Sequence, residues 1–254
     1  MVEGVKLDLN IAYLYYNILN VYGDRGNILI LQKIIKDNNI RCNVSYISID
    51  DDFNHLKYDI VFMGGGQDND QMVAAKDLIE NKKHSLQTYI EDGGCGLYIC
   101  GAFQLLGKKY ISAIGDEIEG TGILDIYTEK GENRFRGDII IQSSIFDSTL
   151  VGFENHSGRT FIEKYRSLGY VKYGKGNNGS DNTEGLMYKN TICTYMHGCF
   201  LSKNPEIIRF IIERALKRKY NCEYTLYINE YLLNLAKYRI IKKHTLSCFS
   251  SRYF

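Results

Sequence analysis

Leu97-Tyr98-Ile99-Cys100-Gly101-Ala102-Phe103-Gln104 is the stretch whose reading decides the fold. Residues 96–100 are an apolar run that reads as a buried strand. The residues from Gly101 onward read as the opening of a helix, with a thiol at the sharp turn between the two. A turned-out thiol at a helix N-terminus feels the positive end of the helix dipole, which favours the thiolate, the nucleophilic form. It is the cysteine counterpart of the serine elbow of hydrolases. On this stretch alone, a nucleophile and a buried cysteine at a strand end are equally good readings.

Outward from this turn, strands and helices alternate. Residues 7–15 read as a strand, Gly23-Asp24-Arg25-Gly26-Asn27 as a turn, and residues 28–37 as a helix with an apolar stripe at Ile28, Leu31, Ile34 and Ile35. Residues 42–49 alternate and read as a strand, and 58–63 as a buried strand ended by Gly64-Gly65-Gly66. Helices are expected over about 70–81 and 84–92. Such alternation implies right-handed crossovers and a mostly parallel sheet. After about residue 120 the pattern changes. Strands are expected at 122–128, 137–142, 168–174, 185–189 and 191–195, joined mostly by loops, so antiparallel pairs are predicted. A helix over 204–219 and a last one over 225–243, basic at its end, complete the chain. Residues 245–254 show no period and read as disordered. The expected fold is therefore α/β: an open, mostly parallel sheet flanked by helices, with added antiparallel strands. Residues 1–220 would form the main domain, and 221–254 a C-terminal helical extension and tail.

The bulk numbers exclude several classes. A net charge of +1 over 254 residues gives no electrostatic case for nucleic-acid binding. Seven scattered cysteines without a C-x-x-C pair indicate neither a zinc site nor a disulfide framework, and no metal site is expected. A reducing cytoplasm is the simplest home for these thiols. The first residues lack the layout of a signal peptide, and no apolar run approaches the roughly 20 residues that span a bilayer. Abundant Tyr, Ile, Asn and Lys with a single Pro read as compositional bias of the genome.

Three further stretches could carry chemistry. Gly64-Gly65-Gly66-Gln67-Asp68 follows a buried strand at its C-terminal end, where open parallel sheets bind ligands. Its N–H groups suit an oxyanion hole, although the loop also reads as a tight turn needing positive φ. No Walker or dinucleotide-binding pattern is present. His197, in Thr194-Tyr195-Met196-His197-Gly198, ends a short apolar strand and could serve as general base and then general acid. A satisfied core or surface histidine is the plainer alternative. His55, His84 and His244 lie in polar contexts that read as exposed. His156 sits in the polar, loop-like run Glu154-Asn155-His156-Ser157-Gly158-Arg159 and competes with His197. Arg134 precedes a strand; its guanidinium could hold a carboxylate, or simply be solvated on a hairpin.

Taken together, the glycine loop, Cys100-Gly101-Ala102-Phe103-Gln104 and Tyr195-Met196-His197-Gly198 resemble the class I (triad-type) glutamine amidotransferases, in their cobyric-acid-synthase-like branch. Val21-Tyr22-Gly23-Asp24-Arg25-Gly26-Asn27, Gly122-Ile123-Leu124-Asp125 and Gly152 through Thr160 narrow the resemblance to the glutaminase subunits of lipid II isoglutaminyl synthases. It runs from about residue 9 to 219 and makes residues 1–220 the amidotransferase domain. The resemblance implies Cys100 as nucleophile, His197 as its base, oxyanion N–H groups from Gly65 and Gly101, and Arg134 as a glutamine-binding residue. Gln104, Asp24, Glu154 and His156 are possible supporting residues. It also implies L-glutamine as substrate and a separate Mur-ligase-like synthetase subunit as heterodimeric partner, through which lipid II is reached. No cofactor is expected in this chain; ATP and magnesium would sit on the partner.

Two departures matter. Many members carry Glu two residues after the histidine, where this chain has Cys199, which cannot orient an imidazolium as a carboxylate does. The site then reads as a dyad, or borrows Asp24 or Glu154, unranked. Ala102 replaces a second glycine and would narrow the elbow slightly. Open alternatives are an amidotransferase serving another, cobyrinate-type synthetase, a cysteine hydrolase or peptidase on a similar sheet, and a non-catalytic binding module.

Overall fold

The computed structural model describes residues 6–112 and 115–250. Its first half is a run of parallel crossovers: β1 (Asp8–Leu14), α1 (Arg25–Asp37), β2 (Arg41–Ile47), β3 (Ile60–Met63), α2 (Asp68–Asp77), α3 (Lys83–Glu91), β4 (Cys95–Ile99) and α4 (Gly101–Leu106). The second half adds β5 (Lys109–Ile111), β6 (Glu117–Glu119), β7 (Tyr127–Ser143), β8 (Ser148–Phe161), β9 (Gly169–Tyr173), β10 (Thr183–Glu184), β11 (Leu186–Tyr188), β12 (Thr191–Thr194) and β13 (Met196–His197). Helices α5 (Pro205–Tyr220) and α6 (Tyr231–Ser250) follow.

The central sheet has the order β11-β12-β4-β3-β1-β2, parallel except for β11. Its inner strands β3 and β4 are buried along their whole length, which is why they are continuous apolar runs rather than alternating ones. The stripe read on α1 (Ile28, Leu31, Ile34, Ile35) is the face that α1 buries. A second, largely antiparallel sheet is built on the long β7–β8 pair, with β9 and β5 also flanking β7 and β13 added beside β8. The fold class is thus the expected one.

Several expectations need correction. Residues 122–126 form no strand: Thr121, Gly122 and Leu124 donate their N–H groups to carbonyls of Leu105, Gly107 and Leu106, so this segment caps the end of α4. The run 154–159 is not a loop but the middle of β8. Its polar residues conceal the strand, which is paired with β7 on one side and, at Glu154, with β13 on the other. Arg134 lies within β7 rather than before it, at a register break between Lys130 and Phe135. The helix expected over 70–81 ends at Asp77 and passes through a π-helical turn, Leu78–Lys82. The last helix begins at Tyr231, not 225, and continues to Ser250, where disorder was expected from 245. Its later turns are held by tertiary contacts, since Lys243 and His244 pair with Asp138 of β7 and His244 stacks on Tyr173. Residues 251–254 lie outside the described residues. Of the histidines expected to be exposed, His84 is, while His55 and His244 are half-buried with partners.

Candidate active site

Four segments leave the carboxyl edge of the central sheet and converge: the loop after β1, the glycine loop after β3, the elbow after β4, and the chain after β12. Cys100 occupies the elbow with φ 52° and ψ −102°, a left-handed conformation that a non-glycine residue adopts only under constraint from its surroundings. The constraint is visible: the Cys100 N–H donates to the Thr194 carbonyl at 2.9 Å, and the Gln104 N–H to the Cys100 carbonyl at 3.0 Å. The strand-turn-helix geometry read from the sequence is therefore present.

His197 lies beside Cys100. A Cβ on Gly65 would come within 2.7 Å of His197 Cε1 and 3.2 Å of Cys100 Cβ, so only glycine fits between the two. The Asp24 carboxylate accepts from His197 Nδ1 at 3.0 and 3.1 Å, and both side chains are fully buried. This contact settles the proton: Nδ1–H faces the carboxylate, and the buried Nε2 faces the sulfur without a well-aligned bond. Burial works against a charged ring, yet the Asp24 carboxylate and the Cys100 sulfur outweigh it and carry the His197 pKa up to about 10.

The two unranked carboxylates separate here. Asp24 touches His197, whereas Glu154 accepts from the Lys175 and Gly176 N–H groups, each at 2.9 Å, and its pKa is pushed up to about 6 by burial. Cys199 takes no part at the imidazole; it sits at φ 45° with its sulfur 3.0 Å from where a Gly26 Cβ would lie. Gly65 also differs from expectation. Its N–H donates to Asp24 Oδ2 at 3.0 Å, so it braces the carboxylate. The neighbouring Gly66 N lies 3.1 Å from a Cβ placed on Gly101, and among the described hydrogen bonds neither the Gly66 nor the Gly101 N–H is used.

Cys100 opens on a cavity of about 400 Å³ whose walls include Gln104, Arg134 and His156. Arg134 Nε donates to Asn155 Oδ1 at 2.5 Å, and Nη2 to the Asn155 carbonyl at 3.2 Å and to the Tyr22 hydroxyl at 3.3 Å. The register break in β7 and the pairing of β8 with β13 bring this arginine from the second sheet to the edge of the first. Gln104 is buried and donates to the Tyr195 hydroxyl at 3.1 Å. His156 stacks on Tyr195 at 3.7 Å, its Nδ1 bonded to the Gly158 carbonyl; burial pushes its pKa down to about 3, so it stays neutral. A ring that does not take up a proton is unsuited to acid–base work, so His156 no longer competes with His197 for that role. Sequence alone assigns no role to Tyr22, Gln71 or Tyr195; Tyr22 stands two residues before Asp24 and Tyr195 two before His197, and that proximity is the available signal.

Fold and site together set a thiol, an imidazole and a carboxylate at the carboxyl edge of an open parallel sheet. The chain belongs to the CobB/CobQ-like glutamine amidotransferase family, whose domain profile matches residues 10–205. It is similar to the lipid II isoglutaminyl synthase (glutamine-hydrolyzing) subunit GatD of Streptococcus pneumoniae, 47% identical over 214 residues, 84% of this chain and 82% of that protein. The subunit GatD of Staphylococcus aureus is 47% identical over 212 residues, 84% of this chain and 86% of that protein. A probable cobyric acid synthase of Methanocaldococcus jannaschii is 32% identical, covering 69% of this chain but 36% of that protein. Among solved structures, PurLQS from Thermotoga maritima shares the fold with a TM-score of 0.54 at 16% identity, covering 85% of this chain and 99% of that one. No helix among the described residues is long and apolar enough to cross a membrane.

Proposed function

We propose that this chain is the glutaminase subunit of a two-subunit lipid II isoglutaminyl synthase. A Cys100 thiolate attacks the side-chain amide carbon of L-glutamine. The N–H groups of the glycine loop and of Gly101 receive the oxyanion, a term worth ~3 kcal/mol per donor. Because the Gly65 N–H is engaged by Asp24, Gly66 is the loop donor left for this task. As the tetrahedral adduct collapses, the His197 imidazolium gives its proton to the departing nitrogen, and ammonia leaves a γ-glutamyl thioester. His197, now neutral, takes a proton from water; the resulting hydroxide cleaves the thioester to glutamate and restores the thiolate. Asp24 holds the ring in the productive tautomer. Arg134 takes the substrate α-carboxylate.

Ammonia is useful only to a synthetase that has activated an acceptor. In this reading the acceptor is the D-glutamate of the lipid II stem peptide, and the synthetase a Mur-ligase-like chain carrying ATP and magnesium, in the cytoplasm. The observation that carries the proposal is the buried Cys100–His197–Asp24 alignment at the cavity, in a chain whose relatives over most of its length are named as that subunit. The test is glutamate production from L-glutamine by the purified chain, with and without the Mur-ligase-like protein of the same organism. Cys100→Ala should abolish it and Cys95→Ala should not, since Cys95 is wholly buried and burial pushes its thiol up to about 12. Equal loss from both variants, or turnover indifferent to the partner while another synthetase stimulates it, would overturn the assignment.

A further inference from the structure

Tyr22 is the one large aromatic of the site that core packing does not explain. It stands in the loop between β1 and α1 at φ 52°, followed by Gly23 at φ 84°, a left-handed backbone that disfavours tyrosine. The residue is 44% exposed, so burial does not offset that strain. Instead it makes two contacts that meet at the mouth of the cavity. Its ring stands edge-to-face with His197, centroids 5.1 Å apart and planes at 79°. Its hydroxyl oxygen accepts from Arg134 Nη2 at 3.3 Å. The phenolic proton has no acceptor among the described hydrogen bonds. Tyr22 and Arg134 both line the cavity into which Cys100 opens.

We propose that Tyr22 is a substrate-binding residue that recognises the α-carboxylate of glutamine and covers the reacting groups once that carboxylate is bound. The proposal rests on the glutaminase reading above. Arg134 supplies the cationic half of the carboxylate site and the Tyr22 hydroxyl the neutral donor. The Tyr22 oxygen already accepts from Arg134, so its O–H is left to donate to the same carboxylate. A substrate held this way pins the phenol ring against His197, and the ring then keeps bulk water from the Cys100–His197 pair during acylation. An amide lacking the α-carboxylate cannot pin the ring, which gives the site its preference for the free amino acid.

The experiment compares wild type, Tyr22→Phe and Tyr22→Ala, alone and with the synthetase partner, on L-glutamine and on 4-aminobutanamide, the same amide without the α-carboxylate. Tyr22→Phe should raise KM for L-glutamine roughly 10- to 100-fold, the weight of one hydrogen bond to a charged group, with kcat within about threefold. It should change turnover of 4-aminobutanamide little, because the lost contact is absent there. Tyr22→Ala should lower kcat as well. In parallel, the concentration dependence of Cys100 alkylation by a diazoketone analogue of glutamine reports binding without turnover. Unchanged KM in Tyr22→Phe, or an equal penalty on both amides, overturns the role of Tyr22 and leaves the glutaminase reading standing. Wild type that neither turns over glutamine nor is alkylated overturns both.

Discussion

At the scale of single residues, Asp24 Oδ2 stands between two donors, His197 Nδ1–H and the Gly65 N–H, each at 3.0 Å. Against the effect of burial, its charge is the larger of the two influences, with the Cys100 sulfur, that raise the imidazole above its ordinary value. Asp24→Asn should therefore lower kcat by roughly 10³- to 10⁴-fold, as loss of the orienting carboxylate does in related triads. It should also move the alkaline limb of the pH–rate profile down from about 10, where His197 loses its proton in the native protein. A variant with full activity, or with an unmoved limb, would remove Asp24 from the mechanism. Glu184 gives a second prediction, on stability. Its carboxyl is wholly buried, accepting from Thr194 Oγ1 and the Tyr195 N–H, and burial raises its pKa from 4.5 to about 7. The folded state therefore holds this proton more tightly than the unfolded state. The resulting stability is complete below about pH 4.5 and is lost as pH rises through about 7. Glu184→Gln cannot ionise, so its melting temperature relative to wild type should climb between pH 5 and pH 8; a pH-independent difference would contradict the assignment.

Among the elements, the glycine loop after β3 and the π-helical turn after α2 do opposite kinds of work. The loop permits close approach: Gly65→Ala would press a methyl onto His197 and Cys100, both held in place by their own bonds. Glutaminase activity should fall by two orders of magnitude or more, while circular dichroism and the cooperativity of unfolding stay native. The π turn carries Lys82, whose buried ammonium pairs with Asp77; the same carboxylate accepts from Tyr15 at 2.7 Å and from the Asp50 N–H at 3.1 Å. That carboxylate thus ties α2 to the segments that follow β1 and β2. Lys82→Ala would leave Asp77 buried without its counter-charge and should cost about 3–5 kcal/mol in urea unfolding. A loss below 1 kcal/mol would mean that water reaches the carboxylate.

Over the whole molecule, the site exists only because two sheets meet. The parallel sheet supplies Cys100, and the loops at its carboxyl edge supply the glycines and Asp24. The antiparallel sheet supplies Arg134, Asn155 and His156, and β13 joins them by pairing His197 with Phe153 of β8. The segment after residue 220 belongs to the same body: Leu226 and Ile228 are buried in the common core, and Arg209–Glu230 and Lys237–Glu206 pairs tie it to α5. Helix α6 also packs on β8 and on residues 200–203, just beyond His197. Ending the chain at Tyr220 should therefore lower the melting temperature by several degrees and reduce glutaminase activity together; a truncated chain as stable and active as the whole would show the extension to be dispensable.

What the sequence determined by itself is what local chemistry can encode. The alternation of apolar runs and amphipathic helices specified the parallel half, because buried strands and helix faces carry their own periodicity. The elbow was legible because a strand end, a thiol and a glycine-led helix start are contiguous in the chain, and a few short contiguous motifs sufficed to indicate the family. Tertiary structure decided the rest. Asp24 and Glu154 are both single carboxylates in polar runs, and only the packing of the β1 loop against β13 places one of them on the imidazole 173 residues away. The polar run 154–159 is a strand because β7 and β13 lie beside it, a fact absent from its own residues. Likewise, the Gly65 N–H turned toward Asp24, and Lys243 and His244 of α6 held by Asp138 and Tyr173, are set by partners distant in sequence. Periodicity reports which face of an element is buried; it carries no information about which element will cover that face.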